Sequence, residues 1–160
     1  MYDFRPAPGL AKQALYDDLL AAAKGLTEGE CDVIANMANV AALLFEFLPE
    51  VNWTGFYRAV DGELVLGPFA GRPACIRIGW GQGVCGAAAA SGQTQLVADV
   101  HAFPGHIACD GATASELVVP VIRDGAVVAV IDLDSPAPAR FDAEDASGIE
   151  ALAKLLADRI

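Results

Sequence analysis

The chain has 160 residues, 54% of them apolar and 19% charged, with four cysteines and a formal net charge of −11. That length and apolar content support a buried core without disulfide staples and exclude a disordered chain. The acidic balance disfavours phosphate backbones and anionic lipid surfaces, so neither nucleic acid nor membrane is an expected partner.

Residues 1–9 carry Pro6, Pro8 and Gly9 and read as an irregular N-terminal arm, leaving 10–160 as one domain. The N-terminus lacks a basic-then-apolar export pattern, and no apolar run approaches bilayer length. A cytoplasmic protein is the expectation, with thiols that are free, catalytic or metal-binding rather than structural disulfides.

From Leu10 to about Lys24, Leu15, Leu19 and Ala22 recur at helical spacing, and Gly25 is expected to end that helix. Thr27 and Glu30 have the form of a capping box opening a second helix through about Leu48, before Pro49. Its apolar residues, Cys31, Ile34, Ala38, Ala41 and Phe45 with Val40, Leu44 and Phe47, cover most of the circumference. The pattern predicts a deeply buried helix, with Cys31 as a small core residue.

Strand patterns follow. Residues 52–60 and 63–69 flank Asp61-Gly62, a two-residue hairpin signal. A period of two puts Trp53 and Tyr57 on one face. A short strand near 74–78, a Gly-rich turn, a brief helix over 84–90 and a short strand at 95–97 come next. A second hairpin joins 117–123 to 126–134 through Asp124-Gly125, with Asp132 and Asp134 on one face. A helix from about Ala143 to Arg159 closes the chain, with Ile149, Leu152 and Leu156 as its stripe. The element order predicts an α+β layer fold, helices on one face of an antiparallel sheet and loops over the other.

Between the last two strand groups lies a loop from His101 to Asp110, His-Ala-Phe-Pro-Gly-His-Ile-Ala-Cys-Asp, with no helix or strand period. A cysteine on such a loop has the exposure a reactive thiolate needs, which makes Cys109 the expected redox nucleophile. Cys75, Cys85 and Cys109 lie in or beside predicted loops, as sulfenic acid chemistry with a second capturing thiol requires. The alternative is a zinc site completed by His101 or His106. No C-x-x-C pair is present, which counts against it, and the two histidines read by default as loop-bonding residues.

Gly81-Gln82-Gly83-Val84-Cys85-Gly86 spells the dinucleotide fingerprint, but antiparallel hairpins surround it and the following helix is short. A turn needing positive φ at glycine explains it better than a nucleotide does. Glu116, Asp132 and Asp134 sit in otherwise apolar strands, and covered carboxylates need partners such as a ligand cation. A tight second hairpin would set Glu116 opposite Leu133, on the wrong face. Either a bulge, which Pro120 would mark, restores the register, or Glu116 precedes the strand. Trp53 and Tyr57 would make an aromatic wall beside the acids.

Seven segments together resemble the free methionine-(R)-sulfoxide reductases, a catalytic branch of the GAF domain family. They are Asn-Trp-Thr-Gly-Phe-Tyr at 52–57, Leu-Gly-Pro-Phe at 66–69, Gly-Arg-Pro-Ala-Cys at 71–75, Gly-Val-Cys-Gly at 83–86, residues 100–110, Ser115-Glu116, and Ile-Asp-Leu-Asp-Ser-Pro at 131–136. The similarity runs from about residue 10 to the end. It implies a six-stranded antiparallel sheet with helices on one face and a loop-covered pocket on the other, in a homodimer. It implies reduction of free L-methionine-(R)-sulfoxide with thioredoxin as electron donor, and no cofactor or metal. By the resemblance Cys109 attacks, Cys75 resolves, and Cys85 is an alternative or relay. Glu116, Asp132 and Asp134 take the acidic substrate-binding positions, Trp53 and Tyr57 the aromatic ones.

In the chemistry this suggests, Glu116 protonates the sulfoxide oxygen, and Asp132 and Asp134 hold the ammonium. Amides near Ile107, Ala108 and Cys109 hold the carboxylate, and Trp53 faces the sulfur-bound methyl. The competing expectation is a non-catalytic GAF sensor of a small ligand or of redox state. A sensor is usually joined to an output domain, for which 160 residues leave no room, and that favours the enzyme.

Overall fold

Two Asp-Gly turns set the sheet. Asp61 and Gly62 (φ 50° and 85°) and Asp124 and Gly125 (φ 51° and 77°) all take the left-handed backbone that tight hairpins require. The computed structural model describes residues 5–107 and 111–160. The first turn joins β1 (Trp53–Val60) to β2 (Glu63–Gly71), and the second joins β5 (Ser115–Arg123) to β6 (Ala126–Ser135). Short β3 (Arg77–Gly79) and β4 (Gln95–Val97) complete an antiparallel sheet of order β3-β2-β1-β6-β5-β4. The first and last strands of the two hairpins, β1 and β6, thus meet at its centre.

Helices α1 (Lys12–Thr27), α2 (Val33–Phe47) and α4 (Ala143–Leu156) cover one face. They bury Leu19, Leu44, Ile149 and Leu152 against Phe56, Leu117, Ile131 and Leu133. Asp145, 1% exposed, ties this layer together. Its carboxylate accepts from Tyr16 Oη at 2.7 Å, Lys12 Nζ at 2.6 Å and Arg140 at 3.2 Å. A shorter helix, α3 (Gly83–Ser91), lies on the opposite face, where Val84, Ala88 and Ala89 pack with Trp53, Tyr57, Val118 and Val130. This helix therefore departs from the one-faced arrangement and forms part of the pocket wall.

The N-terminal helices differ from expectation in three ways. Gly25 does not stop α1, which runs on to Thr27. Thr27 bonds back to the Ala23 carbonyl at 2.8 Å and also receives the Arg159 guanidinium, so its hydroxyl is not free to cap the next helix. Asp32 caps α2 instead, accepting from Ala35 N at 2.8 Å. Cys31 consequently sits in the exposed connection, not in a core. Nor is α2 buried all round: Ile34 and Phe45 are 47% and 43% exposed, with Val33 beside them. Among the described residues, no helix is long and apolar enough to cross a membrane.

Register decides which side chains reach the pocket face. The tight turn pairs Arg123 with Ala126 and Ile122 with Val127, but Val121 then pairs with Ala129. Val128 is the extra residue, and it packs against the helix-side core like its neighbour Ala129. This bulge shifts the remaining pairing by one, so Glu116 lies opposite Asp134 and Val118 opposite Asp132. The bulge is at Val128 on β6 rather than at Pro120, which pairs in register with Val130.

Candidate active site

Across the centre of the sheet, Trp53 on β1, Asp134 on β6 and Glu116 on β5 form one row. Gly55, Asp132 and Val118 form the next, and Tyr57, Val130 and Pro120 the third. All three acids and both aromatics thus face the same side. Gly55 gives this face its shape. A Cβ there would lie 2.6 Å from the Trp53 ring, so only glycine lets that ring lie over the strand. Trp53 stacks on Tyr57 with centroids 6.0 Å apart and on Phe69 at 5.2 Å. Its indole N–H donates to the Arg72 carbonyl at 3.1 Å, and the Tyr57 hydroxyl donates to the Cys75 carbonyl at 3.1 Å. These two bonds tie the 72–75 segment to the aromatic wall.

The glycine-rich turn serves packing. Gly81 and Gly83 take φ of 79° and 58°. A Cβ on Gly86 would stand 2.4 Å from the Gly79 carbonyl oxygen, so the turn and α3 can close on each other only without one. That contact sets the first turn of α3 over the acids. Cys85 is therefore a helix residue, 4% exposed, with Sγ 3.9 Å from Glu116 Oε1.

Together these elements enclose about 450 Å³, open solvent at the mouth included, lined by Trp53, Tyr57, Cys85, Glu116, Asp132 and Asp134. Ile107 and His106 close one side, and Gln82 and Thr113 supply neutral polar groups. Among the described residues, no lysine or arginine lines this cavity. Cys75 is disulfide-bonded, whereas Cys31 and Cys85 are free thiols. Ala108 and Cys109 lie outside the described residues.

Glu116 and Asp132 are only 7% and 6% exposed. Burial raises the Glu116 carboxyl well above the usual carboxylate range, and the Asp132 and Asp134 charges add to the rise. Asp132 is pushed up to about 7, chiefly by burial, against hydrogen bonds with Cys85 and Glu116 that favour its charged form. Two carboxyls this close and this dry share a proton at neutral pH. Burial first, then the Asp132 and Glu116 charges, push the Cys85 thiol up and keep it protonated. His106 is lowered by burial and by His101, whose ring stands edge-on with centroids 6.4 Å apart. His106 thus contributes a neutral ring to the cavity, beyond the loop-bonding role expected of it.

The arrangement can hold a compact cation against buried acids, press an apolar group on Trp53, and deliver one proton from a carboxylic acid. The model of the GAF domain matches residues 35–160. The chain belongs to the GAF domain family. It is 47% identical over 141 residues to the free methionine-R-sulfoxide reductase of Escherichia coli K12, covering 88% of this chain and 86% of that one. The enzyme of that name from Saccharomyces cerevisiae is 42% identical over 155 residues, covering 92% and 86%. A crystal structure of the Neisseria meningitidis free methionine-R-sulfoxide reductase in complex with its substrate superposes with a TM-score of 0.94. That pair is 43% identical over 99% of this GAF chain and 95% of the other.

Sequence reasoning did not single out Thr113 or Gln82 as pocket residues. The Thr113 hydroxyl is buried without a hydrogen-bond partner among the described residues, facing the cavity. Thr113 sits in irregular chain before β5, where no periodicity assigns a direction. Gln82 lay within the glycine turn, whose fingerprint spelling drew attention to nucleotides instead.

Proposed function

We propose that this protein reduces free L-methionine-(R)-sulfoxide to L-methionine. The observation that carries the reading is the acid-lined, aromatic-walled cavity beside a cysteine held in a disulfide. The relatives bearing that enzymatic name support it across nearly the whole chain.

In the proposed reaction the Cys109 thiolate attacks the sulfoxide sulfur while protonated Glu116 gives its proton to the oxygen. The substrate S–O bond breaks as the oxygen, carrying that one proton, passes to the Cys109 sulfur, releasing methionine and leaving Cys109 as a sulfenic acid. The Cys75 thiol then condenses with it, expelling water and forming a disulfide. An external dithiol of the thioredoxin type restores both thiols, taking the oxidation onto itself. Cys75 suits the resolving role better than Cys85, because the raised pKa of buried Cys85 leaves little thiolate to attack.

Asp132 and Asp134 hold the substrate ammonium. Amides around Ile107, Ala108 and Cys109 hold its carboxylate, and the first turn of α3, which opens on the same cavity, favours that charge. A peptide-bound residue has neither terminal charge and leaves the buried acids unmatched. Trp53 faces the methyl and selects the epimer. The protein works in the cytoplasm under oxidative stress, as a homodimer for which the exposed apolar residues of α2 provide contact surface.

The test is incubation with each free sulfoxide epimer and dithiothreitol, measuring methionine. The expected result is turnover of the R form alone, lost in Cys109→Ser. Equal rates on both epimers, or none on either, would point to a sensor and overturn the proposal.

A further inference from the structure

A second ligand chemistry is built into the same cavity. Among the described residues, Cys85 Sγ, a Glu116 oxygen and an Asp132 oxygen lie within 4.8 Å of one another, all three side chains buried. They come from α3, β5 and β6, so the packing of helix on sheet, and not a mobile loop, sets their spacing. Asp132 Oδ1 is fully buried and has no hydrogen-bond partner among the described residues, an unmet acceptor in the wall of a cavity.

We propose that Cys85, Glu116 and Asp132 bind a thiophilic divalent cation, Zn²⁺ foremost, in this cavity. In tetrahedral zinc sites Zn–S is about 2.3 Å and Zn–O about 2.0–2.2 Å, which separates sulfur from oxygen by roughly 3.5 Å. The Cys85 Sγ to Glu116 Oε1 distance is 3.9 Å, so this pair needs only a small contraction. One sulfur and two carboxylates suit zinc or cobalt. Magnesium and calcium require more oxygens and no sulfur. The position left open faces the cavity, where Asp134 and His106 stand.

Two consequences follow. Cys85 is free while Cys75 is disulfide-bonded, so the metal binds the oxidised protein and needs no catalytic thiol. Glu116 and Asp132 are also the acids proposed to face a substrate ammonium, so metal and amino acid exclude each other. The metal site itself does not depend on the sulfoxide reaction.

The experiment is a Co²⁺ titration of the full chain with Cys75 in its disulfide, read as thiolate-to-cobalt charge transfer in the near ultraviolet. One saturating site is expected, displaced by Zn²⁺ and indifferent to excess Mg²⁺. Cys85→Ser should abolish the band and Cys31→Ser should leave it. Asp132→Asn and Glu116→Gln should each weaken binding by roughly tenfold or more, a measurement that stands even if Cys85→Ser folds poorly. Absence of the band, its persistence in Cys85→Ser, its loss in Cys31→Ser, or unchanged affinity in both carboxylate variants overturns the proposal.

Discussion

Replacing Asp132 with Asn tests the electrostatics of the cavity without reference to any substrate. Asp132 has an ordinary value of 3.8 and is pushed up to about 7 in the folded chain by burial. At about 1.36 kcal/mol per pH unit, that difference comes to roughly 4 kcal/mol, an energy belonging to the coupled pair with Glu116. The folded value is the higher one, so the native state holds more protons than the unfolded chain between the two. Its stabilising share is complete below the unfolded value and is lost as the pH climbs through about 7. Urea melts of wild type and Asp132→Asn at pH 5 and pH 8 measure this. The wild type should lose about 2–3 kcal/mol more than the variant over that interval, since most of the loss falls there. A difference between the two proteins that stays constant from pH 5 to pH 8 would refute the buried, proton-sharing pair.

Other outcomes follow from packing and pairing. Gly86→Ala places a methyl 2.4 Å from the Gly79 carbonyl oxygen and 3.1 Å from the Gly81 nitrogen, both backbone atoms. It should cost about 1–3 kcal/mol in denaturant melts and displace Cys85 from Glu116, whereas unchanged stability would contradict the close approach. Asp145→Ala removes the acceptor shared by Tyr16, Lys12 and Arg140 beneath the helices. Leaving those groups unmatched should cost about 3–5 kcal/mol with little change in metal binding at the cavity, and a loss below about 1 kcal/mol would show the network to be dispensable.

The site was legible where short-range rules apply. The two Asp-Gly turns, the alternation that groups Trp53 with Tyr57 and Asp132 with Asp134, and the failure of the glycine fingerprint all rest on a few neighbouring residues. The helix starts were less legible because the same letters admit two bonding patterns. Thr27 can cap a helix or bond back into one, and Arg159, 132 residues away, engages it in the second. The exposed side of α2 misleads in the same way, since Ile34 and Phe45 look like core residues until a structure shows what they lack above them.

By itself, the order of residues determined the α+β class, the two hairpins, and the acids and aromatics that line the cavity. These are properties of local backbone preference and side-chain chemistry. Only the tertiary structure decided that Glu116 joins Asp132 and Asp134, because strand parity depends on the single extra residue Val128 in a neighbouring strand. It also set Cys85, expected in a brief helix beside a loop, as a buried thiol against two carboxyls, because α3 packs on the face left open by the other helices. Burial and distance between remote residues set proton affinity and metal reach, and spacing along the chain encodes neither.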